Sequence, residues 1–488
     1  MSSSNLTAWL PESIYDGGDF QTGVAVVSDD AGTISQIGAA HQVADPVPLK
    51  DRALLPGLIN AHSHAFQRVI RGRTEYRTAN KSDSFWTWRE LMYRAAAQLT
   101  PEDVYDASRM AFLEMALSGI TTVGEFHYLH HAPDGSSYDD PNLLAKEVVR
   151  AANDVGLRIV LLRVAYARSG NDTEINPQQL RFMETNPETY LKNAEQLAGD
   201  LGQGNQMAWT GIAPHSVRAV PIDYMKEVVH FANQRTLPVH MHVAEQPAEV
   251  SACIEEYGRS PVALLATEGL LSERFTAVHS IHVTPKAVRR LADAKALVCA
   301  CPTTERNLGD GVVPVDSYFE QGVRVALGTD SHIQIDLLED ARELEYHLRL
   351  QTMERAVLDP GRNLTPGATV RRGLTSSDSD VVPHESDASA LGARLFNCAT
   401  VSGAESLQAP GGSLEPGRAA DFFTVDLNDP SIAGASKHNL LASIVFSLSR
   451  AAVRDVVVGG KLIVEDGKHP QQEEIVERFK KLQKRLWE

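Results

Sequence analysis

The chain has 488 residues, too many for one small domain, although a single α/β barrel can take about 250 of them. Hydrophobic residues are 43% and charged residues 22%, an ordinary globular balance that excludes wholesale disorder. With 46 basic against 63 acidic side chains the net charge is −17, so a basic nucleic-acid surface is not expected and a small solute is the expected partner.

The first residues, MSSSNLTAWLPESIYDGGDF, lack the basic start and apolar core of a signal peptide. No run approaches the roughly 18 apolar residues of a membrane span, so no membrane contact and a cytoplasmic location are expected. The opening segment reads as short strands: GVAVVS at 23–28 and TISQI at 33–37 flank an acidic turn with glycine. From 56 to 350 strands alternate with helices. Strands are predicted at 120–126, 158–164, 209–213, 237–243, 275–280, 296–301 and 323–328. Helices are predicted at 108–117, 144–154, 222–234, 251–257, 261–267, 284–294, 316–321 and 337–353. This alternation predicts parallel βαβ units, enough of them to close a (β/α)8 barrel of the TIM type. No GxGxxG follows the first strand, which argues against a dinucleotide fold. The polar tract RRGLTSSDSDVVPHESDA at 371–388 reads as an exposed excursion. After 391 the texture returns to strands, at 421–426, 453–458 and 461–465, before a charged helix at 471–488. Gly459-Gly460 joins the last two strands as a hairpin. The predicted architecture is a barrel over 56–390 and one small β-sandwich domain assembled from residues 1–55 and 391–488.

Cys253, Cys299, Cys301 and Cys398 form no CxxC pair and no disulfide scaffold. Cys299 and Cys301 share a face of one strand and read as small packing residues.

The histidines fall where barrel chemistry is built, at the C-terminal ends of the strands. His62 and His64 sit two apart in LPGLINAHSH, so both imidazoles share one face of an extended segment and can reach one metal ion. LPVHMHVAEQ carries His240 and His242; His242 can supply a third nitrogen, and Glu245 lies at the same strand end as a proton acceptor beside activated water. His279 ends FTAVHS, and Asp330 in VALGTDSH can be a fourth ligand. Each alone reads equally as a surface or loop residue. Together they indicate a hydrolase with one divalent metal ion. The imidazole-rich set favours zinc and leaves Fe, Mn and Ni open.

These motifs resemble the amidohydrolase superfamily and its deaminase branch. Within that branch the chain is most similar to the formiminoglutamate deiminases. The matching pieces are HSHAFQR (62–68), DSFWTWRELMY (83–93), GEFHYLHH (124–131), APHSVRAV (213–220), HVAEQ (242–246) and CPTTERNLGDG (301–311). The resemblance implies metal ligands His62, His64, His242 and Asp330, with Glu245 as proton shuttle and His279 orienting the water and imine. It implies a substrate pocket of Gln67, Arg89, Tyr128, His215 and Arg218. His332, two residues after Asp330, is expected to hydrogen-bond the substrate or line the rim. The implied reaction is hydrolysis of N-formimino-L-glutamate, a dicarboxylate, to N-formyl-L-glutamate and ammonia in histidine degradation, by a homodimer. Read without the resemblance, Arg89 in WTWRE is a stacked surface arginine, Arg218 a helix-start arginine, and Trp86 and Trp88 loop packing. A superfamily deaminase acting on guanine, cytosine or a triazine would share the metal core but would need a stacking, amide-bearing pocket in place of two arginines. A non-catalytic protein on a decayed barrel would have lost a ligand or Glu245, and all are present. Arg306, in the CPTTERNLGDG loop, would alter substrate choice if it pointed inward.

Overall fold

The computed structural model describes residues 6–77, 85–202, 204–361 and 390–488; the tract at 371–388 lies outside the described residues. The chain opens with β1 (Thr7–Tyr15), β2 (Phe20–Gln21), β3 (Val24–Ser28), β4 (Ile34–Ala39) and β5 (Val47–Pro56). Then follow β6 (Leu58–Ser63), β7 (Ile120–His127), β8 (Arg158–Ala165), β9 (Ala208–Pro214), β10 (Val239–Val243), β11 (Phe275–His279), β12 (Leu297–Ala300) and β13 (Arg324–Leu327). The last strands are β14 (Phe422–Asp426), β15 (Val453–Val458) and β16 (Lys461–Val464).

β6 to β13 lie side by side in chain order and run parallel, the predicted (β/α)8 core. Every residue of β6, β7, β8, β10, β11 and β12 is buried, as strands covered by helices outside and by packed side chains inside must be. Cys299 and Cys301 pack inside the barrel with Ala61, Val278 and Ala326, so their shared face is a packing face. The ring closes between β6 and β13. The amide of Asp330 donates to the His62 carbonyl at 3.0 Å, and the amide of His64 donates to the Asp330 carbonyl at 3.1 Å. Closure needs a glycine beside it: a Cβ on Gly328 would stand 2.7 Å from Cβ of His62.

Proline sets several helix starts, as at Pro101–Ala116, Pro187–Leu201, Pro247–Tyr257 and Pro285–Asp293. The helix predicted at 108–117 therefore begins earlier, at Pro101, behind a Thr100–Asp103 capping box. Two expectations are corrected. Trp86 and Trp88 are not in a loop but on the helix Phe85–Ala96. The stretch after 391 is not uniformly β, because Ala390–Cys398, Val401–Leu407 and Leu440–Ser447 are helices. Leu391, Leu395 and Phe396 are buried there at helical spacing, a period masked in the sequence by small residues.

The remaining strands form one mixed sheet from both chain ends, in the order β16-β15-β14-β5-β1-β3-β4, with β2 beside β1. β5 is the seam: it runs parallel to β1 and antiparallel to β14. The sheet curls on itself, so that the turn at Gly32 meets Gly459 and encloses a small core of Trp9, Ile14, Val26, Leu54, Phe422 and Val457. Pro56-Gly57 divides the apolar run at 54–59 between the two domains, with Leu54 and Leu55 in β5 and Leu58 and Ile59 in β6. Among the described residues no helix is long and apolar enough to cross a membrane.

Candidate active site

β6 presents His62 and His64, and β10 presents His242 beside them. The Nδ1 of His64 lies 3.0 Å from the Phe126 carbonyl oxygen, and the Nδ1 of His242 lies 3.1 Å from that of His215. A carbonyl only accepts, so both Nδ1 atoms carry the proton and both Nε2 atoms present lone pairs. These lone pairs converge on His62, whose Nε2 is 3.2 Å from Nε2 of His64 and 3.2 Å from Nε2 of His242. Burial pushes His62 down to about 3, lowers His64 and holds His242 well below the usual imidazole range, so the three rings are neutral. Asp330 Oδ1 stands 3.2 Å from His64 Nε2 and 3.5 Å from His62 Nε2. Burial opposes its charge, but His62, His64 and His279 hold the carboxyl far below its ordinary range. Facing lone pairs next to a buried carboxylate are what one divalent cation satisfies, and the donor set fits a single site. The imidazole-rich set suits zinc.

Two more groups face this cluster. His279 Nε2 is 3.8 Å from Glu245 Oε1 and 3.9 Å from Asp330 Oδ2. Burial lifts the Glu245 carboxyl to about 7, with Asp330 and Glu249 adding to the lift and His279 and Arg218 opposing it. Burial alone would lower His279; the Glu245, Glu305 and Asp330 carboxylates raise it well above the imidazole range. The strand ends are conformationally strained: Ala244, His279, Ser280 and Asp330 all have φ between 45° and 68° without being glycine. A second ligand-type cluster, His279, Cys301 and Glu305, lies alongside. There the polar groups satisfy one another, since His279 Nδ1 is 3.1 Å from Glu305 Oε1.

A pocket opens from this cluster, lined by Gln67, Arg89, Tyr128, His215, Arg218 and Glu245. Gln67 Nε2 donates to the Tyr128 hydroxyl at 2.9 Å, and the Gln67 Oε1 is buried without a partner. His215 Nδ1 lies 3.1 Å from the Ser216 hydroxyl. Burial and the Arg218 charge hold His215 well below its usual range. Both guanidiniums are buried short of partners: Arg89 Nε and Nη1 and Arg218 Nη1 have none among the described residues. The Trp86 ring supports both, 4.3 Å from Arg89 Cζ and 5.9 Å from Arg218 Cζ. Arg89 is therefore no surface arginine; the helix Phe85–Ala96 turns it inward.

Several pocket residues are not among those expected from the sequence to contact substrate. Phe85, Trp88, Met92, Tyr93, Tyr166 and Phe182 form the apolar and phenolic wall. Gln179 Nε2 donates to the hydroxyls of Tyr93 and Tyr166 at 2.6 and 2.9 Å. The 3.6-residue spacing of Trp88, Arg89, Met92 and Tyr93 could have found the helical face; Gln179 and Tyr166 carried no local signal. His332 does not line the pocket. Its ring nitrogens lie 3.0 Å from the Ser63 hydroxyl and 3.1 Å from the Thr329 hydroxyl, behind the site, which corrects its expected place as a substrate contact or rim residue. His240 points away from the cluster, toward the Ser406 carbonyl at 3.0 Å. Arg306 points outward and pairs with Glu343 at 2.5 Å.

The amidohydrolase family model matches residues 53–463, from β5 through the barrel to β16. A formimidoylglutamate deiminase of Pseudomonas aeruginosa is 36% identical over 427 residues, covering 88% of this chain and 88% of that one. A 5-methylthioadenosine/S-adenosylhomocysteine deaminase of Caldanaerobacter subterraneus is 28% identical over 418 residues, covering 85% of this chain and 82% of that one. In three dimensions an amidohydrolase from Brucella melitensis superposes with a TM-score of 0.86 at 31% identity, over 99% of this chain and 100% of that one. A family match spanning both domains, on a barrel whose strand ends gather three imidazoles and a carboxylate, shows that the chain belongs to the amidohydrolase family.

Proposed function

We propose that this amidohydrolase is a metal-dependent deaminase whose substrate is N-formimino-L-glutamate, converted with water to N-formyl-L-glutamate and ammonia. The observation that carries the substrate is the pair of guanidiniums in the pocket beside the histidine cluster, where Arg89 Nε and Nη1 and Arg218 Nη1 are buried without a hydrogen-bond partner among the described residues. A buried arginine calls for a carboxylate, and two of them suit a substrate with two. The 36% identity to a formimidoylglutamate deiminase supports the same reading.

The metal ligands are His62, His64, His242 and Asp330. A divalent ion bound there supplies the Lewis acidity that makes water a nucleophile at neutral pH. The chain does the rest. Arg89 and Arg218 hold the two carboxylates, while Gln67, Tyr128 and His215 orient the formimino group toward the histidine cluster. Glu245 accepts a proton from the attacking water and gives it to the imine nitrogen, then passes the remaining hydroxyl proton of the tetrahedral intermediate to the same nitrogen, which departs as ammonia. A carboxyl lifted to about 7 by burial is suited to both halves of that task. His279, beside Glu245 and Asp330, steadies the negative charge carried by the attacking oxygen before the tetrahedral intermediate collapses. The reading places the reaction in histidine breakdown.

The test is ammonia release from the metal-loaded protein, offered formiminoglutamate, formiminoaspartate, guanine, cytosine and 5-methylthioadenosine separately. Turnover of formiminoglutamate well above every ring substrate is expected. Preference for a ring would overturn the substrate and leave the deaminase class standing.

A further inference from the structure

The helix Pro302–Leu308 follows β12 and carries Glu305, a fully buried acid in the CPTTERNLGDG stretch. One of its oxygens, Oε1, accepts from two donors on different strand ends: the Cys301 amide at 2.9 Å and the His279 Nδ1 at 3.1 Å. A carboxylate 3.1 Å from Nδ1 keeps the proton on that nitrogen, so it is Nε2 that faces Glu245 and Asp330. The ring is thereby turned until it lies within 13° of parallel to His242 at 5.5 Å. The backbone beneath is held separately. His279 and Ser280 both have left-handed φ, of 68° and 51°, and the Tyr318 hydroxyl donates to the Ser280 carbonyl at 2.5 Å. Tyr318 thus fixes where His279 stands, and Glu305 fixes which nitrogen it shows.

We propose that Glu305 is a positioning residue for the reaction: by accepting from Nδ1 it holds the ring of His279 in the orientation that points Nε2 at the reacting atoms. This rests on the deaminase reading above. Glu305 does not line the pocket, so its effect falls on turnover and not on substrate binding.

The variants that test it are Glu305→Leu, which removes the acceptor, and Glu305→Gln, which keeps an acceptor oxygen for Nδ1–H and for the Cys301 amide. In zinc-loaded protein, E305L is expected to lose kcat by about 10–100-fold, the usual scale for an outer hydrogen-bond partner, with KM within about threefold. E305Q is expected to recover most of that loss. Nitrogen-15 spectra of labelled histidine supply a readout that needs no substrate. The His279 Nδ1 should show a single protonated signal in the wild type and in E305Q, and a mixed or shifted one in E305L. If the wild type fails to turn over formiminoglutamate, the substrate reading fails and the spectra still judge Glu305. E305L with wild-type kcat and spectrum, activity lost only in step with zinc, or E305Q as impaired as E305L would each overturn the proposal.

Discussion

Arg89 and Arg218 sharpen the difference between residues that touch the substrate and residues that run the chemistry. Each guanidinium has buried nitrogens without a hydrogen-bond partner among the described residues, so truncating either should cost a charge-assisted contact to the substrate. R89A and R218A are each expected to lower kcat/KM on formiminoglutamate by on the order of 10²-fold, with metal content unchanged. Near-normal kcat/KM in R218A would remove that residue from the substrate site. Glu245 should behave differently. E245Q keeps the shape and removes the base, so kcat should fall roughly 10²–10⁴-fold while metal and substrate still bind. A fully metallated E245Q enzyme keeping a tenth of wild-type kcat would move the proton shuttle elsewhere, with His279 the first candidate. A third residue, Glu125, bears on stability. It is buried behind β6 with its oxygens 2.5 Å from the Ser63 hydroxyl and 2.7 Å from the Ala65 amide, and burial lifts its carboxyl to about 8. The folded state therefore holds this proton more tightly than the unfolded chain does. The stability it contributes is fully present below the unfolded value near 4.5 and is lost as pH rises through about 8. Thermal melting of chelator-treated protein at pH 6 and pH 8.5 should show a larger drop for the wild type than for E125Q. Equal drops would mean that Glu125 ionises normally.

At the scale of the element, two features decide whether these residues meet. One is the approach of β13 to β6. A methyl group on Gly328 would lie 2.7 Å from His62 Cβ and 2.9 Å from the His62 carbonyl oxygen, both below contact distance. G328A should therefore push apart the two strand ends that carry His62 and Asp330. The expected result is a metal content well below that of the wild type, together with a lower melting temperature, read by elemental analysis and calorimetry. Full metal occupancy in G328A would mean the barrel seam can open without disturbing the site. The other feature is the helix Phe85–Ala96. Its inner face carries Trp88, Arg89, Met92 and Tyr93 into the pocket, so one helix supplies both apolar wall and cation.

For the whole molecule, the barrel and the curled sheet are tied by a buried ion pair. Arg158 opens β8 and Asp421 immediately precedes β14, 263 positions later in the chain. They meet through Nε to Oδ2 at 2.6 Å and Nη2 to Oδ1 at 3.0 Å, with side-chain exposures of 2% and 0%. Asp421 also accepts from the Gly459 amide at 2.6 Å, so one carboxylate joins the barrel, β14 and the β15–β16 turn. D421A strands a buried guanidinium, a change that costs about 3–5 kcal/mol when one partner of such a pair is removed. A clear fall in melting temperature is expected, with kcat of the surviving folded enzyme near normal because the pair lies far from the strand ends that bear the histidines. An unchanged melting temperature would show that the two domains do not depend on this link.

What the sequence determined by itself was periodic and local. Strand–helix alternation implied the barrel, and HxH at 62–64 put two imidazoles on one face because successive side chains of a strand alternate sides. Position at a strand's end was enough to nominate His242, Glu245, His279 and Asp330. The Gly459-Gly460 turn marked the boundary between the last two strands. What the tertiary structure alone decided was everything that depends on a second segment. His240 and His242 share the face period, yet only His242 turns to the cluster, because the Ser406 carbonyl claims His240. His332 follows Asp330 by two, yet Ser63 and Thr329 take both its nitrogens. Arg89 reads as a surface residue until its helix packs beside Tyr166 and Arg218, and Glu305 is one acid among many until β11 brings His279 to it. The physical reason is the same each time. Backbone periodicity fixes a side chain's direction relative to its neighbours in the chain, whereas its chemistry depends on which distant groups desolvate it and hold its protons.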